Sequence, residues 1–157
     1  MDKEADIHRL GFLVTDGARL LRAAFERRIA DAGLGITPAE ARTLLNIHAL
    51  KDCRQLDIAA RMGIEPMTVC AFLDKLQALG LIERQPDPAD RRAKRVTLTP
   101  SCAPLILAIR KELDSVILKA TAGMAPDEAL LLCRLLERMN ANFQGETAPL
   151  PETPECP

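Results

Sequence analysis

The sequence predicts a mostly α-helical protein that carries one small β-hairpin. Three observations lead there. Apolar residues make up 48% of the 157, yet there is no Trp, no Tyr and only four Phe, so the core must be built from Leu, Ile, Val, Ala and Met, which suit packed helices better than a sandwich. Those residues recur at three- and four-residue steps over most of the chain. One stretch breaks the rhythm. Residues 81–85 and 95–98 read as short strands on either side of Pro86-Asp87-Pro88-Ala89-Asp90, which is turn chemistry.

The first helix is predicted over roughly 5–31, where Ile7, Leu10, Val14, Ala18, Leu21, Phe25 and Ile29 form a stripe that Leu13 and Leu20 broaden. A helix apolar on more than one side packs against more than one partner. Gly33-Leu34-Gly35 ends it. Thr37-Pro38-Ala39-Glu40 then starts a second helix that runs to about Leu50: Thr37 caps, Pro38 suits the first position and Glu40 closes a capping box. A short third helix, about 55–62, stops at Gly63; a fourth, 66–79, begins at Pro66 and stops at Gly80. After the hairpin, Thr99-Pro100 opens a fifth helix with Leu105, Ile106, Ile109, Leu113, Val116 and Ile117. Pro126 begins a sixth with Leu131, Leu132, Leu135, Leu136, Met139 and Phe143. The last thirteen residues are rich in Pro and acidic residues without Lys or Arg, and are expected to be disordered.

The charge is local. A net charge of −1 argues against a chain that coats nucleic acid all over, but Arg91, Arg92, Lys94 and Arg95 crowd the hairpin tip. Four neighbouring cations repel one another unless something anionic compensates. A basic β-ribbon beside an exposed helix can reach phosphates and a minor groove while the helix occupies the major groove, so double-stranded DNA is the expected partner. No apolar run reaches membrane-spanning length, and the start Met1-Asp2-Lys3-Glu4-Ala5-Asp6 is too polar for a signal peptide. The five cysteines, Cys53, Cys70, Cys102, Cys133 and Cys156, are odd in number and lack metal-finger spacing, which points to free thiols in a reducing cytoplasm. No nucleophile–base pair, glycine-rich phosphate loop or paired-carboxylate site stands out, so neither catalysis nor a cofactor is expected.

Helices of about 14, 8 and 14 residues followed by a hairpin form a winged helix-turn-helix, here framed by one long helix before it and two after. With Gly63-Ile64-Glu65-Pro66, Leu73-Asp74-Lys75-Leu76, Gly80-Leu81-Ile82-Glu83-Arg84 and the wing from Asp90 to Pro100, the chain resembles the MarR/SlyA family of bacterial regulators over about residues 7–143. Leu45-Asn46-Ile47-His48-Ala49-Leu50 is similar to the SlyA branch. The resemblance implies a dimerisation helix at 5–35, a winged DNA-binding domain at 36–99, dimerisation helices at 100–144 and a tail at 145–157. It implies a homodimer on a near-palindromic operator, repressing by steric occlusion unless it activates by displacing nucleoid proteins. It also implies a small effector, often an aromatic carboxylate, bound between the dimer region and the winged domain.

Carried onto these residues, the family pattern has Asp90 brace the minor-groove arginine, Arg92. The groove face of the fourth helix is predicted to be Met67, Thr68, Cys70, Ala71, Asp74 and Lys75, with Val69, Leu73 and Leu76 facing the core. Close relatives usually carry Arg at the position of Ala71. Without it, guanine readout gives way to thymine-methyl contacts by Met67 and Ala71, or to a dimer that binds small molecules or proteins with weakened DNA recognition. Cys70 near a helix start, and Cys53, raise a redox reading, against which stands the ordinary packing of a free thiol. The peroxide-sensing mechanism of the family does not transfer, because no Cys precedes Cys53 and no Tyr is present. Two histidines, His8 and His48, are too few for a zinc-sensing site, and no metal is expected. Arg19, Arg22 and His48 are candidate effector contacts. Ile7, Leu10, Val14, Leu132, Leu135, Leu136 and Met139 are candidate dimerisation residues.

Overall fold

A computed structural model of the chain describes residues 3–144, with side chains from residue 7 onward. The expected disordered tail, with Cys156, lies outside the described residues. The chain divides into two units after Ala120. The first holds α1 (Lys3–Ala32), α2 (Pro38–Leu50), β1 (Cys53–Arg54), α3 (Gln55–Met62), α4 (Pro66–Ala78), β2 (Ile82–Pro86), β3 (Lys94–Leu98), a 3-10 turn (Pro100–Cys102) and α5 (Ala103–Ala120). The second holds α6 (Pro126–Phe143). The expected class, mostly helical with a hairpin wing, is the class observed. No helix of the described residues is long and apolar enough to cross a membrane.

Local chemistry sets the helix ends. Thr37 accepts the Glu40 N–H at 3.3 Å while the Glu40 carboxylate accepts the Thr37 N–H at 2.8 Å, a closed capping box. Such a cap is worth about 1 kcal/mol. Gly63 ends α3 at φ +64°, a left-handed conformation that glycine adopts without Cβ strain. Ala125 offers no side-chain cap to α6, but its N–H donates to Glu128 Oε2 at 2.8 Å, half of a box.

The sheet has a strand that local pattern did not predict. β1 is only two residues long and pairs antiparallel with β3, Cys53 opposite Val96 and Arg54 opposite Arg95. The order is β1-β3-β2, so β3 is central and the hairpin is tied back to the α2–α3 junction. The fifth helix also starts later than expected. Thr99 Oγ1 donates to the Gly80 carbonyl at 2.7 Å instead of capping, and Ser101 Oγ does the same at 3.0 Å. A 3-10 turn intervenes before α5.

The core of the first unit gathers Phe25 and Ile29 of α1, Leu44 and Ile47 of α2, Ile58 of α3, Val69, Leu73 and Leu76 of α4, Ile82 and Val96 of the wing, and Ile106 and Ile109 of α5. Every one of these side chains is apolar, so burying them supplies the main driving force for placing the wing and α4 side by side. The forward part of α1 is different: Ile7 is 70% exposed, Leu10 48% and Leu13 59%.

Candidate nucleic-acid interface

With Val69, Leu73 and Leu76 turned inward, α4 shows Met67, Thr68, Ala71, Asp74 and Lys75 to solvent, and Cys70 is half-buried. Met67 is 81% exposed, so it is not a packing residue here. A cleft of about 340 Å³ opens between α4 and the wing. Pro66 and Cys70 of α4, Leu56 of α3, and Asp90, Arg92 and Lys94 of the wing line it. The structure therefore brings the predicted recognition helix and the predicted basic tip to one surface.

Within that surface the charges divide into held and free. Lys75, the one cation of α4, places Nζ 2.8 Å from Glu40 Oε1, and Asp74 accepts from Arg84 Nη2 at 2.5 Å. Arg84 also reaches Gln77 at 2.5 Å and Gln55 at 3.3 Å, joining β2, α4 and α3 through one half-buried guanidinium. Arg95 pairs with Asp87 and Asp52. Arg91, Arg92 and Lys94 make no side-chain hydrogen bond or ion pair among the described residues and stand exposed at the tip.

Asp90 holds Arg92 in another way than the resemblance implied. Its Oδ1 accepts the backbone N–H of Arg92 at 3.0 Å, so it orders the turn and leaves the guanidinium unbraced. The acid that organises the wing is Asp87, read from sequence only as a turn residue. Its carboxylate is fully buried and accepts the N–H of Ala89 at 2.7 Å, the N–H of Asp90 at 3.2 Å, Arg54 Nε at 2.8 Å and Arg95 Nε at 3.2 Å. The Ala89 N–H above all, with the two guanidinium groups, outweighs burial and holds the carboxyl down to about 2. Arg54 was not expected at the site. Its only sequence clue is a cation at the start of the third helix.

The cysteines differ in chemistry. Burial, then the charges of Asp57 and Asp52, pushes the Cys53 thiol up to about 11, which disfavours the reactive thiolate. Gln55 Nε2 lies 4.0 Å from Cys70 Sγ, at the cleft wall.

A second cavity, about 240 Å³, lies between α1, α2 and α5. Phe25, Leu45, Leu113 and Val116 make it apolar, and Arg22, Arg42 and Asn46 are its polar members. Of the three candidate effector contacts, only Arg22 is there. Arg19 pairs with Asp16 at 3.3 Å and His48 is exposed elsewhere. Burial, with the neighbouring Arg22 charge, pulls Arg42 below its ordinary pKa despite Glu26 at 3.9 Å. Asn46 Oδ1 accepts from Arg61 Nε at 2.9 Å, which links the cavity wall to α3.

Of the candidate dimerisation residues, Ile7, Leu10, Leu132 and Leu135 are exposed and Val14, Leu136 and Met139 half-buried. α6 has no buried residue.

Comparison with known proteins agrees with this geometry. Residues 34–93 match the MarR family model. The crystal structure of apo MarR from E. coli superposes with a TM-score of 0.68 at 22% identity, covering 83% of this chain and 95% of that one. A cysteine-to-serine mutant of E. coli MarR complexed with operator DNA gives 0.65 at 21%, covering 88% and 99%. BpsR from Bordetella bronchiseptica, whose DNA binding is regulated by 6-hydroxynicotinic acid, gives 0.67 at 26%, covering 84% and 98%. The MarR family model thus matches the stretch from α2 through α4 to the turn of the basic wing, and the fold is that of these MarR structures, so the chain is similar to the MarR family of winged-helix transcriptional regulators.

Proposed function

We propose that the chain acts as a cytoplasmic homodimer that binds a pseudo-palindromic operator in sequence-specific fashion, represses by occlusion and responds to a small-molecule effector. One observation carries the DNA reading. Pro66 and Cys70 of α4 and the free cations Arg92 and Lys94 of the wing border a single cleft, so helix and wing can engage adjacent grooves together. The exposed apolar residues of α1 and α6 support a dimer, since such stripes are costly to leave in water. BpsR, 26% identical and regulated in DNA binding by an aromatic carboxylate, supports the effector. The cavity beside α1 suits that chemistry, with an apolar wall for a ring and Arg22 and Arg42 for a carboxylate.

The decisive test is a gel shift with the DNA upstream of the chain's own gene, at several salt concentrations. Specific binding should exceed binding to random duplex by at least roughly a thousandfold. Addition of aromatic carboxylates should release the duplex, and Arg42→Ala should blunt that release. A second reading, a ligand- or protein-binding dimer with weakened DNA recognition, is favoured by one feature: the only cation of α4 is engaged by Glu40. No preference for any selected sequence would establish it.

A further inference from the structure

We infer that Arg54 is a phosphate-binding residue of the DNA interface and that buried Asp87 positions it, so that wing and helix-turn-helix close together on one backbone phosphodiester. This rests on the DNA-binding reading above and adds to it a contact outside both the recognition helix and the wing tip.

Arg54 sits on β1, one residue before α3, and is placed by pairing with Arg95 of β3. Its N–H donates to Asp57 Oδ2 at 2.8 Å, which fixes the backbone. Its Nε donates to Asp87 Oδ2 at 2.8 Å, which fixes the side chain. The side chain is still 41% exposed and lines the cleft between α4 and the wing. Its two terminal nitrogens make no hydrogen bond among the described residues. A guanidinium gripped at Nε keeps donors on its outer edge, at a spacing that suits two oxygens of a phosphate.

The surroundings favour an anion. Arg92 and Lys94 line the same cleft, and its one carboxylate, Asp90, is occupied by the Arg92 N–H. Asp87 does not compete for a ligand. It is buried, and four donors take up its lone pairs. One carboxylate thus holds the wing turn through Ala89 and Asp90 and the pre-α3 strand through Arg54. The arginine is pre-oriented, so little side-chain freedom is lost on binding.

The test titrates the full-length protein with operator and with random duplex over a range of KCl. Arg54→Gln should weaken both by the same factor, about five- to tenfold, and lower the slope of log affinity against log salt by about one. Arg54→Lys should retain the slope, because the charge remains. Asp87→Asn should lower the slope at least as far as Arg54→Gln does, because it also loosens the wing turn, and adding Arg54→Gln to Asp87→Asn should lower it no further. If Asp87 only built the wing and did not position Arg54, Arg54→Gln would lower the slope by the same amount in the Asp87→Asn background, which would overturn the positioning role. An unchanged slope in Arg54→Gln overturns the inference while the DNA reading stands; exposure of that side chain makes misfolding no excuse. Failure of the unmutated protein to bind any duplex overturns both. Potassium phosphate at matched ionic strength separates the two phosphate sources: displacement of duplex beyond the chloride effect, lost in Arg54→Gln, would mark a free-anion site and overturn the DNA contact.

Discussion

Lys75 and Glu40 form an ion pair 2.8 Å long that ties α4 to the first turn of α2. Glu40 is almost fully buried and serves two ends at once, closing the α2 capping box and holding the lysine. Burial by itself raises its carboxyl. The Lys75 hydrogen bond, the Thr37 N–H and the lysine charge outweigh that and hold it below its ordinary 4.5. A depressed folded pKa means the contribution is present above the unfolded value and is lost as pH falls through the folded one.

Glu40→Gln is therefore expected to cost about 1 kcal/mol, a fall of roughly 2–4 °C in Tm. It should also release Lys75 and strengthen binding to random duplex. Calorimetry and a random-duplex titration check both; an unchanged Tm would show that the cap and the pair contribute nothing.

Asp87 sets a second pH limit. Its carboxyl titrates at about 2 in the folded chain against an ordinary 3.8, so its contribution is intact above 3.8 and disappears as pH drops towards 2. The wing should keep its order at pH values where exposed acids have titrated. Amide exchange of Ala89 and Asp90 followed from neutral pH down to about 3, well above the folded pKa, measures this. Loss of protection near pH 4 would contradict it.

Arg92→Ala should weaken operator binding strongly with Tm nearly unchanged, because the side chain is exposed and unpaired. Asp90→Ala should give a milder defect through a looser turn, since it removes the acceptor for the Arg92 N–H. Undiminished affinity in both variants would take the wing tip out of the interface.

Leu135→Glu should convert a dimer at micromolar concentration into monomers or aggregates. Leu135 is 53% exposed and neighbours Leu131 and Leu132 on an α6 with no buried residue. Light scattering after size exclusion reads the outcome, and a monodisperse monomer from the unmutated chain would refute the dimer.

Exposed Met67 and Ala71, with no free cation on α4, lead to a preference for A·T-rich inverted repeats with half-sites about 10 base pairs apart. Replacing central thymines by uracil should cost affinity by removing methyl contacts. Indifference to uracil, or a consensus of invariant G·C pairs, would argue against methyl readout.

Sequence alone determined what neighbours within a few residues can settle. The Thr37–Glu40 box, the glycine at the end of α3 and the turn after β2 are local hydrogen bonds and backbone preferences, so the helices and the hairpin were legible to within a few residues. Spacing likewise turned Val69, Leu73 and Leu76 inward and left the solvent face of α4 to be read directly. Tertiary structure decided which charges are free. Lys75 and Arg95 look as available as Arg92 in the sequence, yet Glu40 and Asp87 with Asp52 engage them. Asp87 looks like any turn acid until β1 brings Arg54, 33 residues away, against it. A two-residue strand carries no periodic signal, and an ion pair across the core depends on which surfaces meet. Only the closing of α2, α4 and the wing around one apolar core selects those meetings.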